Sequence, residues 1–410
     1  QKKEMGERYM KNKKNLVFLV AALIFCAQFI GNYGNYQLAA IPGKIFQAFQ
    51  LTDTQFSSLM TAPMLPSIFL SIIIGLLVDR FGISKMVGIC LAVATGGLVL
   101  RAFATDYTTM LIAMILSGAG CMILNSNLAK IVSSLYPMDK VSKVVGIMMA
   151  ASTASMAVAY ATTAAIPSLS VAFWIPAVIS IVVLVLWLVF ARESVFSENK
   201  MAGEDASQVK ESLLVCVKSK NIWLAGLTLM LILGGSMIIS SFHVSAVVEL
   251  KGYSESYAGT FNTVLMIGAI LGSMFLPVYV TKNPEKTPVM MLVMGIITAV
   301  SAAGMVTLPA IGIYICGFLN GAFRSGIIAV MMMLPVMLKE IGPKYAGTAG
   351  GFMVTLELIG SVVIPTYVIV PLGGGSYLNY FMLAGAAMLL ASIICFILMK
   401  SCGVFVKKEA

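Results

Sequence analysis

Long apolar stretches recur along the chain, separated by short polar breaks. The pattern predicts twelve helical spans, over 16–39, 55–77, 86–105, 109–132, 142–166, 171–191, 221–248, 256–280, 288–307, 310–336, 345–370 and 377–400. Each is close to the roughly 20 mostly apolar residues a helix needs to cross the hydrocarbon core of a bilayer. Only helices and closed barrels satisfy their own backbone polar groups there, and runs of this length, rather than ten-residue alternations, exclude a barrel. Thr52 and Gln55 have capping-box spacing at the start of the second span. The break at 192–220 holds Glu193, Glu198, Lys200, Glu204, Asp205, Lys210 and Glu211 and reads as a solvated linker, part of it helical. The first apolar segment is too long for a signal-peptide core and is read as a retained helix.

The stretches on either side of that linker repeat one another. Leu51–Ser57 sits beside Tyr253–Gly259, both reading as an N-cap that opens an even-numbered helix. Leu116-Ser117-Gly118-Ala119 parallels Leu319-Asn320-Gly321-Ala322, and Lys143-Val144-Val145-Gly146 parallels Lys344-Tyr345-Ala346-Gly347. Three matches in order at a near-constant offset predict a duplication: a bundle over 1–191, the linker 192–220 and a second bundle over 221–410. The expected fold class is all-α, twelve transmembrane helices in two pseudo-symmetric six-helix bundles.

Composition agrees. Hydrophobic residues make up 59% and charged residues 11% of the chain, against about 25% charged in soluble domains. The net charge of +10 could suggest a nucleic-acid partner, but its placement points elsewhere. With the N-terminus inside, 22 of the 27 basic residues fall on the cytoplasmic side, which is the orientation signal of a membrane protein with both termini in the cytoplasm. The cysteines are seven and never close-spaced, so neither a disulfide frame nor a metal site is expected, and a single histidine cannot build a multi-histidine site. No cofactor is expected. Short loops favour a bacterial inner membrane, and the chain is read as a monomer.

The break after the second span reads Gly75-Leu76-Leu77-Val78-Asp79-Arg80-Phe81-Gly82-Ile83-Ser84-Lys85. It resembles the loop between helices two and three of the major facilitator superfamily, G-x-L-x-D-R-x-G-R-K. Gly75, Leu77, Asp79, Arg80 and Gly82 fall on their positions; Ile83 and Ser84 replace the basic pair, and Lys85 comes a residue late. The resemblance covers nearly the whole chain and implies secondary transport by alternating access. It implies that helices one, four, seven and ten line a central cavity, that two, five, eight and eleven flank it, and that three, six, nine and twelve face lipid. It also assigns Gly75, Asp79, Arg80 and Gly82 to gating, with the counterpart of Asp79 meeting the start of helix eleven, here Gly342-Pro343-Lys344-Tyr345.

Charge within the hydrocarbon costs several kcal/mol, which makes intramembrane ionisable residues functional candidates. Arg324 lies about 14 residues into span ten, roughly 21 Å along the helix, too deep to reach the interface. Its planar fork suits a carboxylate; the competing reading is a structural ion pair. Glu357, about 13 residues into span eleven, either neutralises Arg324 or carries a coupling proton. Span one offers Gln28, Asn32, Tyr33, Asn35, Tyr36 and Gln37; Asn32 and Tyr36 are four apart and share a face. Asn32, Tyr33 and Tyr36 are therefore candidate substrate contacts, with Asn125 from span four and His243 from span seven. Packing is the competing reading for each, and for His243 at least as strong. Arg101, at the outer end of span three, reads as a headgroup or loop contact.

Absences narrow the choice. Met114 stands where many superfamily members carry an arginine in helix four. The Gly-Pro motif of drug–proton antiporters is missing from 142–166, and the glycine-rich signatures of nitrate carriers are not reproduced. The Leu100-Arg101 end of span three is similar to the cyanate-transporter-like branch. The reading is a secondary transporter for a small organic anion, with protons as a candidate coupling ion. An exporter of amphiphilic or cationic compounds is the alternative within transport, and a non-transporting membrane sensor the alternative outside it. No nucleophile–base set, phosphate loop or metal cluster argues for an enzyme.

Overall fold

The computed structural model describes residues 2–196 and 206–402, with side chains at those positions except 2–14, 71–76, 79, 122–123, 125–126, 138, 142, 206–210, 343 and 344. In chain order the α-helices are α1 (Lys2–Ala40), α2 (Pro42–Phe49), α3 (Asp53–Thr61), α4 (Leu65–Phe81), α5 (Ile83–Ala102) and α6 (Tyr107–Ser126). They continue as α7 (Leu128–Leu135), α8 (Met138–Thr162), α9 (Leu169–Phe190), α10 (Ala206–Lys218), α11 (Lys220–Lys251) and α12 (Glu255–Lys282). The last five are α13 (Thr287–Thr307), α14 (Ala310–Met337), α15 (Gly342–Val363), α16 (Val370–Gly373) and α17 (Tyr377–Ser401). All twelve predicted spans are helical, and ten helices among the described residues are long and apolar enough to cross a bilayer.

Three spans are interrupted, each at an identifiable residue. The second passes through a 3₁₀ turn at Ala62–Met64 between α3 and α4. Pro63 lies inside it and Pro66 follows it at the start of α4, and proline removes a helical donor and crowds the carbonyl four residues back. The fourth breaks at Asn127, which leaves the helical region at φ −104°, ψ 7°. The eleventh widens into a π-helix at Ile364–Ile369, where the Val370 N–H reaches back five residues to the Pro365 carbonyl. Pro365 and Pro371 each remove a donor within a few residues, and a π-turn is a recognised way for a helix to absorb such a disturbance.

The chain forms two compact units. One comprises Gln1–Gln37, Ala62–Ala159 and Ile166–Gly203. Its core packs Val20 and Ile24 of α1 with Leu91 of α5, Leu124 of α6 and Trp187 of α9. The other comprises Leu38–Thr61, Tyr160–Ala165 and Glu204–Ala410. Its core joins Ile222 and Leu229 of α11 to Met291, Met331, Met353 and Leu398. The helical part expected within 192–220 is α10, and it is not fully solvated. Ser212, Cys216 and Ser219 are buried against this second unit, because the apolar Cys216 belongs to its core.

Two of the three repeat matches show like local packing or capping. A Cβ on Gly118 would land on the backbone of Pro63, and one on Gly321 would land on the Leu265 carbonyl. Glycine therefore lets span four approach span two, and span ten approach span eight, in the same register. The two capping segments also agree: Gln55 N–H donates to Thr52 Oγ1 at 3.3 Å and Tyr257 N–H to Ser254 Oγ at 3.3 Å. Gly118→Val is expected to destabilise the protein by about 1–3 kcal/mol through overpacking, seen as a lower melting temperature of the detergent-solubilised protein.

Candidate functional site

Arg324 sits midway along α14 and is 6% exposed. Gly321, one turn earlier, brings α14 against α12 and carries the guanidinium into the interior of the second unit. Its Nη1 donates to the hydroxyl of Ser236 on α11. Glu357 lies half-buried on α15, in the same unit. Among the described residues Glu357 has no hydrogen-bond or ion-pair partner, so the ion pair that would neutralise Arg324 is not formed with it. The site thus holds a buried cation hydrogen-bonded to Ser236 and, separately, a carboxyl that is not its ion-pair partner. A buried charge is costly unless it is paired or hydrogen-bonded, and such groups cluster at functional sites.

The polar residues of the first span divide into two groups, all in the first unit. Asn35 Oδ1 accepts from Ser117 Oγ of α6 at 3.0 Å, and Gln37 Nε2 donates to the Ala172 carbonyl at 2.8 Å. Gln37 Oε1 accepts from Arg101 Nη2 at 2.9 Å, while Arg101 Nη1 donates to the Gly34 carbonyl. The Arg101 guanidinium also lies over the Phe173 ring, 4.7 Å from its centroid. Arg101 is therefore no headgroup contact: it is 1% exposed and locks α1 to α5 and α9. Asn32, Tyr33 and Tyr36 are buried, and Asn32 Nδ2 donates to the Gln28 carbonyl at 2.9 Å. The Gln28 amide is buried with neither polar atom bonded among the described residues. The side chain of Asn125 lies outside the described residues.

His243 is fully buried in the second unit. Its Nδ1 lies 2.6 Å from Asn262 Oδ1 and its Nε2 3.2 Å from the Met305 carbonyl, with the Phe261 and Phe381 rings beside it. Both ring nitrogens are engaged by the protein.

Several polar contacts in the second unit were not anticipated. Tyr380 Oη donates to Asp53 Oδ2 at 2.6 Å, the Gly43 N–H donates to Glu255 Oε1 at 2.7 Å, and Tyr160 Oη donates to the Ser240 carbonyl. Ser57 Oγ and Thr366 Oγ1 are 2.9 Å apart, and Phe56 packs on Phe242. Thr366 lies in the π-segment, so the widened turn sets where its hydroxyl points. The close prolines were the one sequence signal that could have flagged it.

Gly75, Asp79 and Arg80 lie in the last turns of α4, and only Gly82 separates it from α5; the surroundings of Gly75 and the side chain of Asp79 lie outside the described residues. Arg80 is exposed, with its guanidinium carbon 5.3 Å from the Phe81 ring centroid. Gly82 has φ +91°, a conformation that favours glycine. It permits the carboxylate of Glu193 to cap α5, accepting from Ile83 N–H at 3.1 Å and Ser84 N–H at 2.9 Å. Trp187 Nε1 donates to the Ser84 carbonyl at 3.0 Å, and Ser84 Oγ donates to the Ala191 carbonyl. The junction of α4 and α5 is thus fastened to the end of α9, and Glu193 was read only as a linker charge. Glu193→Ala is expected to speed hydrogen exchange of the Ile83 and Ser84 amides roughly fivefold or more, for about 1 kcal/mol of lost capping.

The sequence model of the Major Facilitator Superfamily matches residues 17–365. No curated protein sequence matches the chain. Among solved structures, the chain is similar to a bacterial homolog of the human lysosomal transporter Spinster, inward-facing and unoccupied. The TM-score is 0.77 at 14% identity, over 97% of this chain and 99% of that one. It is also similar to the nucleoside transporter NupG, with a TM-score of 0.74 at 14% identity over 95% of this chain and 99% of that one. At these identities the likeness is one of fold.

Proposed function

Because the chain belongs to the major facilitator superfamily, we propose that this transporter moves a small organic anion, bound through Arg324, by alternating access. The observation that carries the reading is the Arg324 guanidinium, buried mid-span on α14 with the Ser236 hydroxyl on one nitrogen. A guanidinium in that state offers a carboxylate charge-assisted hydrogen bonds in a medium of low dielectric. Glu357 is the proposed proton carrier, since a carboxyl with no ion-pair partner can gain and lose a proton without breaking one. Asn32, Tyr33 and Tyr36 are proposed to complete the binding surface, and Asp79 and Arg80 to gate it. The basic residues support an orientation with both termini in the cytoplasm and fit a bacterial inner membrane.

Uptake into proteoliposomes of a panel of labelled carboxylates, with and without a pH gradient, tests the reading. Saturable uptake of at least one, competed by other anions, is expected. A second reading, export of a cationic amphiphile, is favoured by one observation: the same unpartnered Glu357 could receive a cation. Competition by amines rather than carboxylates would select it.

A further inference from the structure

α10 has two unlike faces. Ser212, Cys216 and Ser219 are buried against the second unit, and Glu211 Oε1 accepts from Tyr345 Oη at 2.6 Å. The opposite face carries Leu213, Leu214 and Val217, which are 37%, 52% and 49% exposed. Positions 213 and 217 are one turn apart and 214 adjoins them, so the three form one apolar strip. Among the described residues, nothing in the second unit covers it.

The strip continues onto the exposed face of the first turns of α11. Trp223, 39% exposed on α11, donates from Nε1 to the Val217 carbonyl at 2.9 Å, with its ring edge against Phe352. Leu227, four residues on, is exposed on the same face of a span long and apolar enough to cross a bilayer. Tryptophan concentrates at the level of the lipid headgroups, and here it is hydrogen-bonded to the last turn of α10. Lys218 and Lys220 are exposed beside it, as is Lys339 in the connection after α14. Two carboxylates lie nearby: Glu340 accepts from Asn221 Nδ2 at 2.8 Å and Ser219 Oγ at 3.2 Å, and Glu211 from Tyr345 Oη. Lys218, Lys220 and Lys339 outnumber the two carboxylates, which leaves the surface beside the strip net positive.

We propose that α10 is an interfacial helix that docks on anionic phospholipid. Leu213, Leu214 and Val217 enter the acyl boundary, and Lys218, Lys220 and Lys339 hold the headgroups. Apolar burial joined to basic charge is the chemistry that selects an anionic bilayer surface over a zwitterionic one. The strip then braces the junction of α10 and α11 from the membrane side, as Tyr345 does from the protein side.

The full chain in lipid vesicles tests this directly. Spin labels are placed by Leu214→Cys or Val217→Cys in a Cys26→Ser, Cys316→Ser, Cys402→Ser background, which leaves only buried native cysteines. In vesicles containing phosphatidylglycerol, both labels should collide more with oxygen than with a water-soluble nickel chelate, and a Lys286→Cys label should show the reverse. Chelate access at 214 and 217 equal to that at 286 would overturn the proposal. So would labels reached by neither probe, since a protein surface would then cover the strip. In nanodiscs, hydrogen exchange over 211–218 should be slower in phosphatidylglycerol than in phosphatidylcholine, by roughly fivefold per lysine engaged. The difference should collapse in the Lys218→Gln, Lys220→Gln, Lys339→Gln variant. Equal exchange in the two lipids would remove the anionic-headgroup half of the proposal.

Discussion

Arg324→Lys is expected to cut anion transport roughly ten- to hundredfold while leaving the protein folded. Lysine keeps the positive charge, but its ammonium is a point donor and cannot match a carboxylate with two parallel N–H groups. A hydrogen bond to a charged group contributes about 1.5–3 kcal/mol, and each 1.4 kcal/mol is a tenfold change. Arg324→Ala should lose more, since charge and donors both go. The measurement is initial uptake rate in proteoliposomes against substrate concentration, with gel-filtration profile and melting temperature as the folding control. Normal uptake by a well-folded Arg324→Ala protein would remove Arg324 from the binding site and the anion reading with it. The contact with Ser236 gives a graded companion: Ser236→Ala should impair transport less than either change at 324, because it removes a neutral partner and leaves the fork intact.

Glu357→Gln is expected to abolish accumulation driven by a pH gradient while substrate exchange at equal pH on both sides persists. One pH unit across the membrane is worth about 1.4 kcal/mol per coupled proton, hence about tenfold accumulation at equilibrium. A variant that cannot carry the proton should accumulate nothing above the external concentration. Glutamine preserves shape and polarity, so binding at Arg324 should survive. Because no ion pair joins Glu357 to Arg324, the Glu357→Gln change should not unfold the protein, and Arg324→Ala should not rescue it. A Gln variant that still concentrates substrate on a proton gradient would exclude Glu357 as the carrier.

Most of the architecture was legible because hydrocarbon leaves the chain few choices. Apolar runs of about 20 residues located all twelve spans, and the Gly118 and Gly321 matches pointed to a repeat whose close helix approaches the fold then showed. What escaped was where a span changes character within its length. Apolar content does not distinguish an α-turn from a π-turn, so the widened segment at Ile364–Ile369 was hidden although Pro365 and Pro371 were in view. Partners far apart in sequence escaped too. Arg101 reads as a surface cation from its place near a helix end, yet Gln37, the Gly34 carbonyl and Phe173 enclose it. His243 gave no sign of which helix it would face, and its neighbours Asn262 and Met305 come from two later spans. At the candidate site, the depth of Arg324 and Glu357 was readable from residue counts. Whether they touch depends on helix rotation, which counting does not supply.

The hydroxyl and carboxylate contacts of Asp53 and Ser57 set a timetable for biosynthesis. Asp53 is bonded to Tyr380 and Ser57 to Thr366, partners 327 and 309 residues further along. At ribosomal rates of about 5–20 residues per second, the first spans are made at least ~15 seconds before those partners exist. The segment Leu38–Thr61 therefore spends that interval with its final neighbours unmade, and it settles only when the last helix is inserted. A nascent chain stalled before Thr366 should leave this segment open to protease, and release of the complete chain should close it.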